Sequence, residues 1–265
     1  MQNNEGAISV LHITDSHLNE DRSKDLLGVN TFDSLMAVLD EIKASGRQPD
    51  CILVTGDIAQ DGSVAAYQTM KDALQEYDCP VRWFPGNHDD RVNMAQVVSR
   101  DEELEQVTEI GGWQLVLLDS LSSGNVYGVL ANGELDVLAS ALEKSSAPSL
   151  VCLHHQPVDI HSRWLDRIGL RDPERFLEII DRHDHVKGVL WGHIHQEYDE
   201  LREGKRMLAT PSTCIQFKPK SDDFALDERA PGYRWLTLEA GGEIKTEVYR
   251  TKTFEFELDL KSNGY

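Results

Sequence analysis

The sequence predicts an α/β fold in which sheets are covered by helices on their outer side, and three observations predict it. Short apolar runs of the kind that form buried strands alternate with amphipathic stretches of helical period. Beyond Gly204 the texture turns strand-like. Hydrophobic residues make up 40% of the 265 residues, enough for a substantial core.

The elements follow in order. Ile8–Ile13 reads as the first buried strand. Thr31 to Lys43 places Phe32, Leu35, Met36, Leu39 and Ile42 on one helical face, with Asn30 or Thr31 available as the cap. Ile52–Val54, Val81–Phe84, Leu115–Leu118, Leu150–Leu153 and Val189–Trp191 are further buried strands, and Val64–Tyr77, Gly133–Glu143 and Pro173–Arg182 are further helices. The late strands are Arg206–Ala209, Tyr233–Leu238 and Ile244–Tyr249, the last alternating as a half-exposed antiparallel strand does. Asp21–Asn30, His161–Asp172 and Pro219–Pro231 are polar or irregular insertions, and Asp101–Glu105 reads as a solvated helix face. Length and the lack of a low-complexity linker suit one domain over residues 1–265, strand-rich from about residue 205.

Composition narrows the function. The formal charge is −20, so the surface repels nucleic acid and anionic membranes, and neither is expected as a partner. No apolar run is long enough for a membrane helix, and MQNNEGAISV lacks the basic start and apolar stretch of a secretory leader. Cys51, Cys79, Cys152 and Cys214 form no C-x-x-C pair and read as free thiols, which suits the cytoplasm.

The chemistry sits directly after the apolar runs. Asp15 and His17 follow VLHIT, and Asp57 follows CILVTG. Asn87, His88 and Asp89 follow VRWFPG; His154 and His155 follow LVCL; His193 and His195 follow GVLWG. In an α/β sheet ligands gather outside the carboxyl ends of strands, so five strands are expected to deliver these groups to one edge. Oxygen and imidazole donors suit Mn, Fe or Zn, and the lack of thiolates argues against a structural zinc site. Alternation along a strand would aim Asp15 with His17, and His193 with His195, in pairs toward the same side. Seven candidate ligands, Asp15, His17, Asp57, Asn87, His154, His193 and His195, exceed what one ion takes and suit two ions sharing a carboxylate. Two divalent ions against two carboxylates leave a pocket of about +2, which attracts a phosphate despite the acidic exterior.

These blocks, D-x-H at Asp15 and His17, G-D at Asp57, G-N-H-D at Gly86–Asp89, a histidine after a strand at His154 and G-H-x-H at Gly192–His195, resemble the calcineurin-like metallophosphoesterases. Outside them, GDIAQDGSVAAYQ, SRWLDRIGLRDPE and LATPSTCIQFKPKSDDFALDERAPGYR look like the bacterial class III 3′,5′-cyclic AMP phosphodiesterases. The resemblance runs from about Ile8 to Tyr249 and implies a four-layer α/β/β/α sandwich that hydrolyses cyclic AMP to 5′-AMP. Carried over residue by residue, it implies Asp15, His17, Asp57 and His195 at a first ion, and Asp57, Asn87, His154 and His193 at a second, with Fe(II) or Mn(II) as the metals. His155 is the alternative to His154. His17, Asp57, Asn87, His88, His154 and His195 would also face the substrate, a cyclic nucleotide. His88 is placed to protonate the leaving 3′ oxygen, and Asp89 beside it is expected to hold the imidazole's tautomer.

Other residues have plainer expectations. His12 lies next to the site without binding an ion, and His161, His183 and His185 belong to the surface. Trp164 packs against the sheet or, alternatively, covers the nucleotide; Arg163 shares that insertion; Gln216 and Phe217 line the base pocket or pack a loop. Gly56, Gly86 and Gly192 serve tight turns, since no P-loop pattern is present. The rival functions are a phosphoesterase of broader specificity on the same scaffold and, more distantly, a non-catalytic interaction scaffold.

Overall fold

The computed structural model describes residues 6–262 and Gly264; residues 1–5, part of the stretch expected to lack a leader, lie outside the described residues. The chain begins with β1 (Ile8–Ile13), β2 (Asp25–Leu26), β3 (Val29–Asn30), α1 (Thr31–Ala44), β4 (Cys51–Val54), α2 (Val64–Leu74) and β5 (Val81–Trp83). It continues with α3 (Arg91–Met94), β6 (Val107–Ile110), β7 (Trp113–Leu118), α4 (Asn132–Lys144), β8 (Ser149–Leu153), α5 (Arg163–Asp166), α6 (Pro173–Asp181) and β9 (Val186–Trp191). It closes with β10 (Tyr198–Arg202), β11 (Lys205–Ala209), β12 (Gln216–Phe217), β13 (Leu226–Asp227), β14 (Gly232–Leu238) and β15 (Ile244–Arg250).

Two sheets result. The first has the order β15-β14-β1-β4-β5, with β1, β4 and β5 parallel and β14 and β15 added antiparallel. The second has the order β10-β11-β9-β8-β7-β6, with β11, β9, β8 and β7 parallel and an antiparallel strand on each edge. The late strands mostly join these two sheets: β10 and β11 complete one, β14 and β15 the other, and β12 and β13 pair separately.

Side-chain alternation explains the layers. In β1, Ile8 and Val10 face the second sheet, where they meet Leu115, Leu117, Leu150, Cys152, Leu190 and Leu208. Leu11 and Ile13 face the other way and pack under α1 and α2, against Leu35, Val38, Ile42, Tyr67 and Met70. The outer face of the second sheet is covered likewise by α4 and α6, through Leu135, Leu138, Leu142, Phe176 and Ile180. Helix, sheet, sheet, helix: the four-layer α/β/β/α sandwich is as expected.

The local expectations hold with small shifts. Asn30 caps α1, its Oδ1 accepting from the Asp33 amide at 2.9 Å. The helix expected to reach Tyr77 stops at Leu74. Residues 101–104 form turns rather than a helix, and Glu103 and Glu105 are ion-paired to Lys71 and Arg82. The three insertions carry structure: the β2–β3 hairpin, α5, and β13 paired with β12. All four cysteines are free, with Cys51 and Cys152 in the core between the sheets. Among the described residues, no helix is long and apolar enough to cross a membrane.

Candidate metal centre

The five strand ends expected at one edge come from two sheets. β1, β4 and β5 deliver Asp15, His17, Asp57 and Asn87 from the first; β8 and β9 deliver His154, His193 and His195 from the second. The cluster thus lies at the seam where the stacked sheets open. Among the described residues four groups, Asp15 with His17 and His195, Asp15 with Asp57 and His154, His17 with Asp57 and His88, and His154 with His155 and His193, hold ligand atoms close enough to share an ion.

Strand alternation is not what aims these groups. β1 ends at Ile13 and β9 at Trp191, and beyond them Asp15, His17, Asp57, His193 and His195 all adopt left-handed backbone, with φ of 54°, 47°, 47°, 63° and 48°. Each such non-glycine residue costs about 1–2 kcal/mol. The cost is sustained because each turn is fastened: Asp15 N donates to Gly56 O, His17 N to Asp57 O, and His193 N to both carboxylate oxygens of Asp15. Curling alternate residues into this conformation turns the paired ligands inward.

Ring partners then fix which nitrogen faces the cluster. His154 Nδ1 donates to Thr55 O at 2.8 Å, His195 Nδ1 to Ile215 O at 2.9 Å, and His17 Nδ1 to Gln60 Oε1 at 2.7 Å. In a neutral imidazole Nε2 is then the unprotonated nitrogen, and in these three it is turned toward the cluster. His193 is reversed: its Nε2 donates to Ile168 O at 3.1 Å, so Nδ1 is unprotonated. The unprotonated atoms converge on acceptors. His17 Nε2 lies 3.1 Å from His195 Nε2, His195 Nε2 lies 3.4 Å from Asp15 Oδ1, and His154 Nε2 lies 3.2 Å from Asp57 Oδ2. Unprotonated nitrogens and carboxylate oxygens this close in a buried site call for a proton or a cation between them. Asp57 Oδ2, Asn87 Oδ1, His154 Nε2 and the neighbouring His155 Nε2 are buried without a hydrogen-bond partner, as the ligand atoms of a cation would be. The residues present fit two cations.

Electrostatics agrees. Burial pushes the His17 and His193 imidazoles down to about 3, so both are neutral and ready to coordinate. Burial also opposes charge on His154, yet the carboxylates of Asp57 and Asp15 push it up to about 9. The same position asks for a positive charge whether it comes from a proton or from a metal. Against the burial that opposes ionisation, the imidazoles around Asp57 hold its carboxyl well below the usual range.

Asp57 divides its two oxygens. Oδ1 accepts from the His88 amide at 2.8 Å, while Oδ2 faces His154 at 3.2 Å and His17 at 3.8 Å. Asp89 departs from its expected role: its hydrogen bonds come from the amides of Ile58, Ala59 and Gly86, not from the His88 ring. A buried carboxylate is best satisfied by several amides, and this one ties the loop after β5 to the loop after β4. Burial, with the charge of Asp57, pushes its carboxyl up to about 7. His155 takes a hydrogen bond with Ser120 Oγ at 2.8 Å and packs its ring beside His193, whereas His154 is the one facing Asp57.

Two glycines leave room for the carboxylates more than they make turns. A Cβ on Gly86 would run into Asp57 Oδ1, and one on Gly192 into Thr14 Oγ1 and Asp15 Oδ2, while only Gly56 of the three has positive φ, at +93°.

Beside the cluster lies a cavity of about 180 Å³ lined by Asn87, His88, His193, Trp164, Phe217 and Phe224, among others. Trp164 meets Phe217 edge-on at 5.0 Å and Phe224 at 5.3 Å, and Phe217 stacks on His195 at 4.3 Å. Trp164 therefore both packs and lines the cavity. Phe217 lines it too, while Gln216 braces the loop by donating to Ser212 O and Cys214 O. Arg163 is exposed and faces Asp222. A larger cavity of about 470 Å³, with Trp83, Arg91 and Glu134 in its wall, has none of the histidines. His12 is buried within the sandwich, His161 is exposed, and His183 and His185 are half-buried against each other. Gln60, Thr55, Ile168 and Ile215, which orient the rings, were not expected; three of these act through backbone carbonyls that leave no mark in a sequence.

A sandwich with this cluster at its seam is the architecture of a metallophosphoesterase, and residues 8–197 match the model of the calcineurin-like phosphoesterases; the chain belongs to that family. Among bacterial proteins, the 3′,5′-cyclic adenosine monophosphate phosphodiesterase CpdA of Vibrio vulnificus is 44% identical to it, over 98% of this chain and 96% of that protein. The protein of the same name from Pseudomonas aeruginosa is 40% identical over the same shares. Solved structures agree in fold: a dimetal phosphatase from Danio rerio superposes with a TM-score of 0.60 at 16% identity, covering 92% of this chain and 99% of its own. A purple acid phosphatase from yellow lupin gives 0.67 at 11% identity, covering 95% of this chain and 53% of its own.

Proposed function

We propose that this enzyme hydrolyses 3′,5′-cyclic AMP to 5′-AMP with two divalent cations, Fe(II) or Mn(II), and that it lowers cyclic AMP in the cytoplasm. The observation that carries the reading is the likeness, at 40% and 44% identity over nearly the whole chain, to relatives named for that activity. In this reading Asp15, His17, Asp57 and His195 hold the first cation. Asp57, Asn87, His154 and His193 would hold the second, Asp57 serving both. When bound, such a pair supplies a water activated near neutral pH and positive charge for the phosphate oxygens.

The chain's own residues do the rest. Asp57 keeps Oδ2 turned to both positions because the His88 amide retains Oδ1. His88 borders both the cluster and the cavity, so a phosphodiester bound there presents its leaving 3′ oxygen to that imidazole, which donates the proton. The aromatic wall of Trp164, Phe217 and Phe224 shields the adenosine from water and offers ring faces and edges to the base.

The test is turnover by metal-free protein reconstituted with Fe(II), Mn(II), Zn(II) or Mg(II) in turn. Values of kcat/KM are compared for 3′,5′-cyclic AMP, 2′,3′-cyclic AMP and bis-p-nitrophenyl phosphate. A preference for 3′,5′-cyclic AMP is expected; a large preference for the other two would assign a broader phosphodiesterase.

A further inference from the structure

The inner face of the first sheet changes character along its length. Along β1 the residues facing the second sheet run Ile8, Val10 and His12, with Thr14 just past its end; beside them stand Cys51, Leu53 and Thr55, and opposite are Leu208 and Thr210. Apolar residues give way to polar ones as this layer approaches the candidate metal centre. Arg234, paired with His12 in the β1–β14 register, is only 1% exposed. His12, Thr14, Thr55 and Thr210 are also buried, so each polar atom must find its partner within the protein.

They find one another in a single file. Arg234 Nε donates to Thr210 Oγ1 at 3.2 Å, and Thr210 Oγ1 bonds His12 Nδ1. His12 Nε2 bonds Thr55 Oγ1 at 2.6 Å, Thr55 Oγ1 donates to Thr14 Oγ1 at 2.8 Å, and Thr14 Oγ1 donates to Asp15 Oδ2 at 2.7 Å. The two ends fix the direction. A guanidinium can only donate and a carboxylate can only accept, so every hydroxyl accepts from the Arg234 side and donates toward Asp15. His12 must then accept at Nδ1 and donate from Nε2, as a neutral ring does; burial and the nearby Arg234 charge push its imidazole down to about 3. Bonds aligned in this way polarise one another.

The far end of the file acts on a candidate ligand. Thr14 holds Asp15 Oδ2 alone and the His193 amide reaches both oxygens at 3.1 Å, while Oδ1 also lies 3.4 Å from His195 Nε2 and 3.9 Å from His154 Nε2. Gly192 makes the link possible, since a Cβ there would strike both Thr14 Oγ1 and Asp15 Oδ2. We propose that Arg234, Thr210, His12, Thr55 and Thr14 form a positioning relay that locks the Asp15 carboxylate in one rotation and leaves Oδ1 as the atom offered to the first cation. None of the five touches a reacting atom; they act through Asp15. The inference rests on the two-cation reading above.

The experiment titrates the metal-free full chain with Mn(II) by equilibrium dialysis, measuring bound ion by elemental analysis, with thermal melting in parallel. Wild type takes up two ions. Thr14→Val should weaken one of the two by about 10–100-fold and leave the other unchanged. Thr14→Ser, which restores the hydroxyl, should recover wild-type binding, and Thr55→Val should repeat the selective loss in weaker form. If Thr14→Val does not fold, Thr55→Val carries the same comparison; if neither folds, the file is a folding element and the positioning role is rejected. Valine variants that bind both ions normally, or weaken both equally, overturn the relay alone. Uptake of fewer than two ions by wild type overturns the two-cation reading, and the relay with it.

Discussion

In the floor of the site, Asp57 and four histidines are fixed by hydrogen bonds, whereas the wall beside it is built of aromatic rings packed on one another. Asp57 is tied through one oxygen to the His88 amide, and His154, His195, His17 and His193 are each tied through one ring nitrogen. Trp164, Phe217 and Phe224 meet one another through ring edges and faces. The difference follows from what each region must bind. Charge on a small cation demands placement to a fraction of an ångström, whereas an adenosine needs apolar area and tolerates some shift. Damage to the floor should therefore appear in ion content and kcat, and damage to the wall in KM.

The severest test of the floor is Asp57→Ala. If Asp57 serves both cations, its removal should empty both positions and lower kcat/KM by about 10³-fold or more, since cation stabilisation of the phosphate is worth several kcal/mol. A variant that retains two ions by elemental analysis would defeat the sharing. His88→Ala separates chemistry from cation binding within the floor. It should lower kcat by about 10²–10⁴-fold with ion content preserved. Loss of an ion would instead make His88 a ligand, which its grouping with His17 and Asp57 makes worth measuring.

Gly86→Ala probes placement without removing any ligand. The added methyl displaces Asp57 Oδ1 from its seat, and a shift of about 1 Å at a reacting centre costs about 10²-fold in rate. The expected outcome is weakened ion binding in a folded protein, read by dialysis beside a melting curve. Wild-type ion content with lowered Tm would show that the close approach serves packing only.

Floor and wall also differ in how far the sequence discloses them. The candidate ligands follow apolar runs such as CILV and SLVCL, so strand ends and donor types together mark Asp57 and His154 as candidates before any coordinates. The four-layer sandwich followed from resemblance, and the helical periods of α1 and α4 were plain. Three things were hidden. Division of the strands between two sheets depends on pairings such as β11 with β9, which are decided by distant partners. The left-handed turns at Asp15, His17, His193 and His195 run against the strand pattern that precedes them, because tertiary hydrogen bonds override local preference. The Asp89 role was misread because adjacency in G-N-H-D suggests a partnership with His88 that the turn directs elsewhere.

The wall was the least legible region, and Trp164→Ala asks whether it recognises anything. Trp164 stands on α5, Phe217 on β12 and Phe224 in the loop before β13, so three separate segments meet only in space. Trp164 is half-buried and borders the cavity that also contains Asn87, His88 and His193. Stacking or edge contact with a base is worth about 1–3 kcal/mol, so its loss should raise KM for cyclic AMP by about tenfold. Because the ring contacts of Trp164 are with Phe217 and Phe224, kcat at saturating substrate and ion content should stay at wild-type values. Trp164→Phe, keeping a ring in the same place, should recover most of the affinity. A fall in kcat with KM unchanged would mean that the wall supports the floor instead of the nucleotide, through the stack of Phe217 on His195.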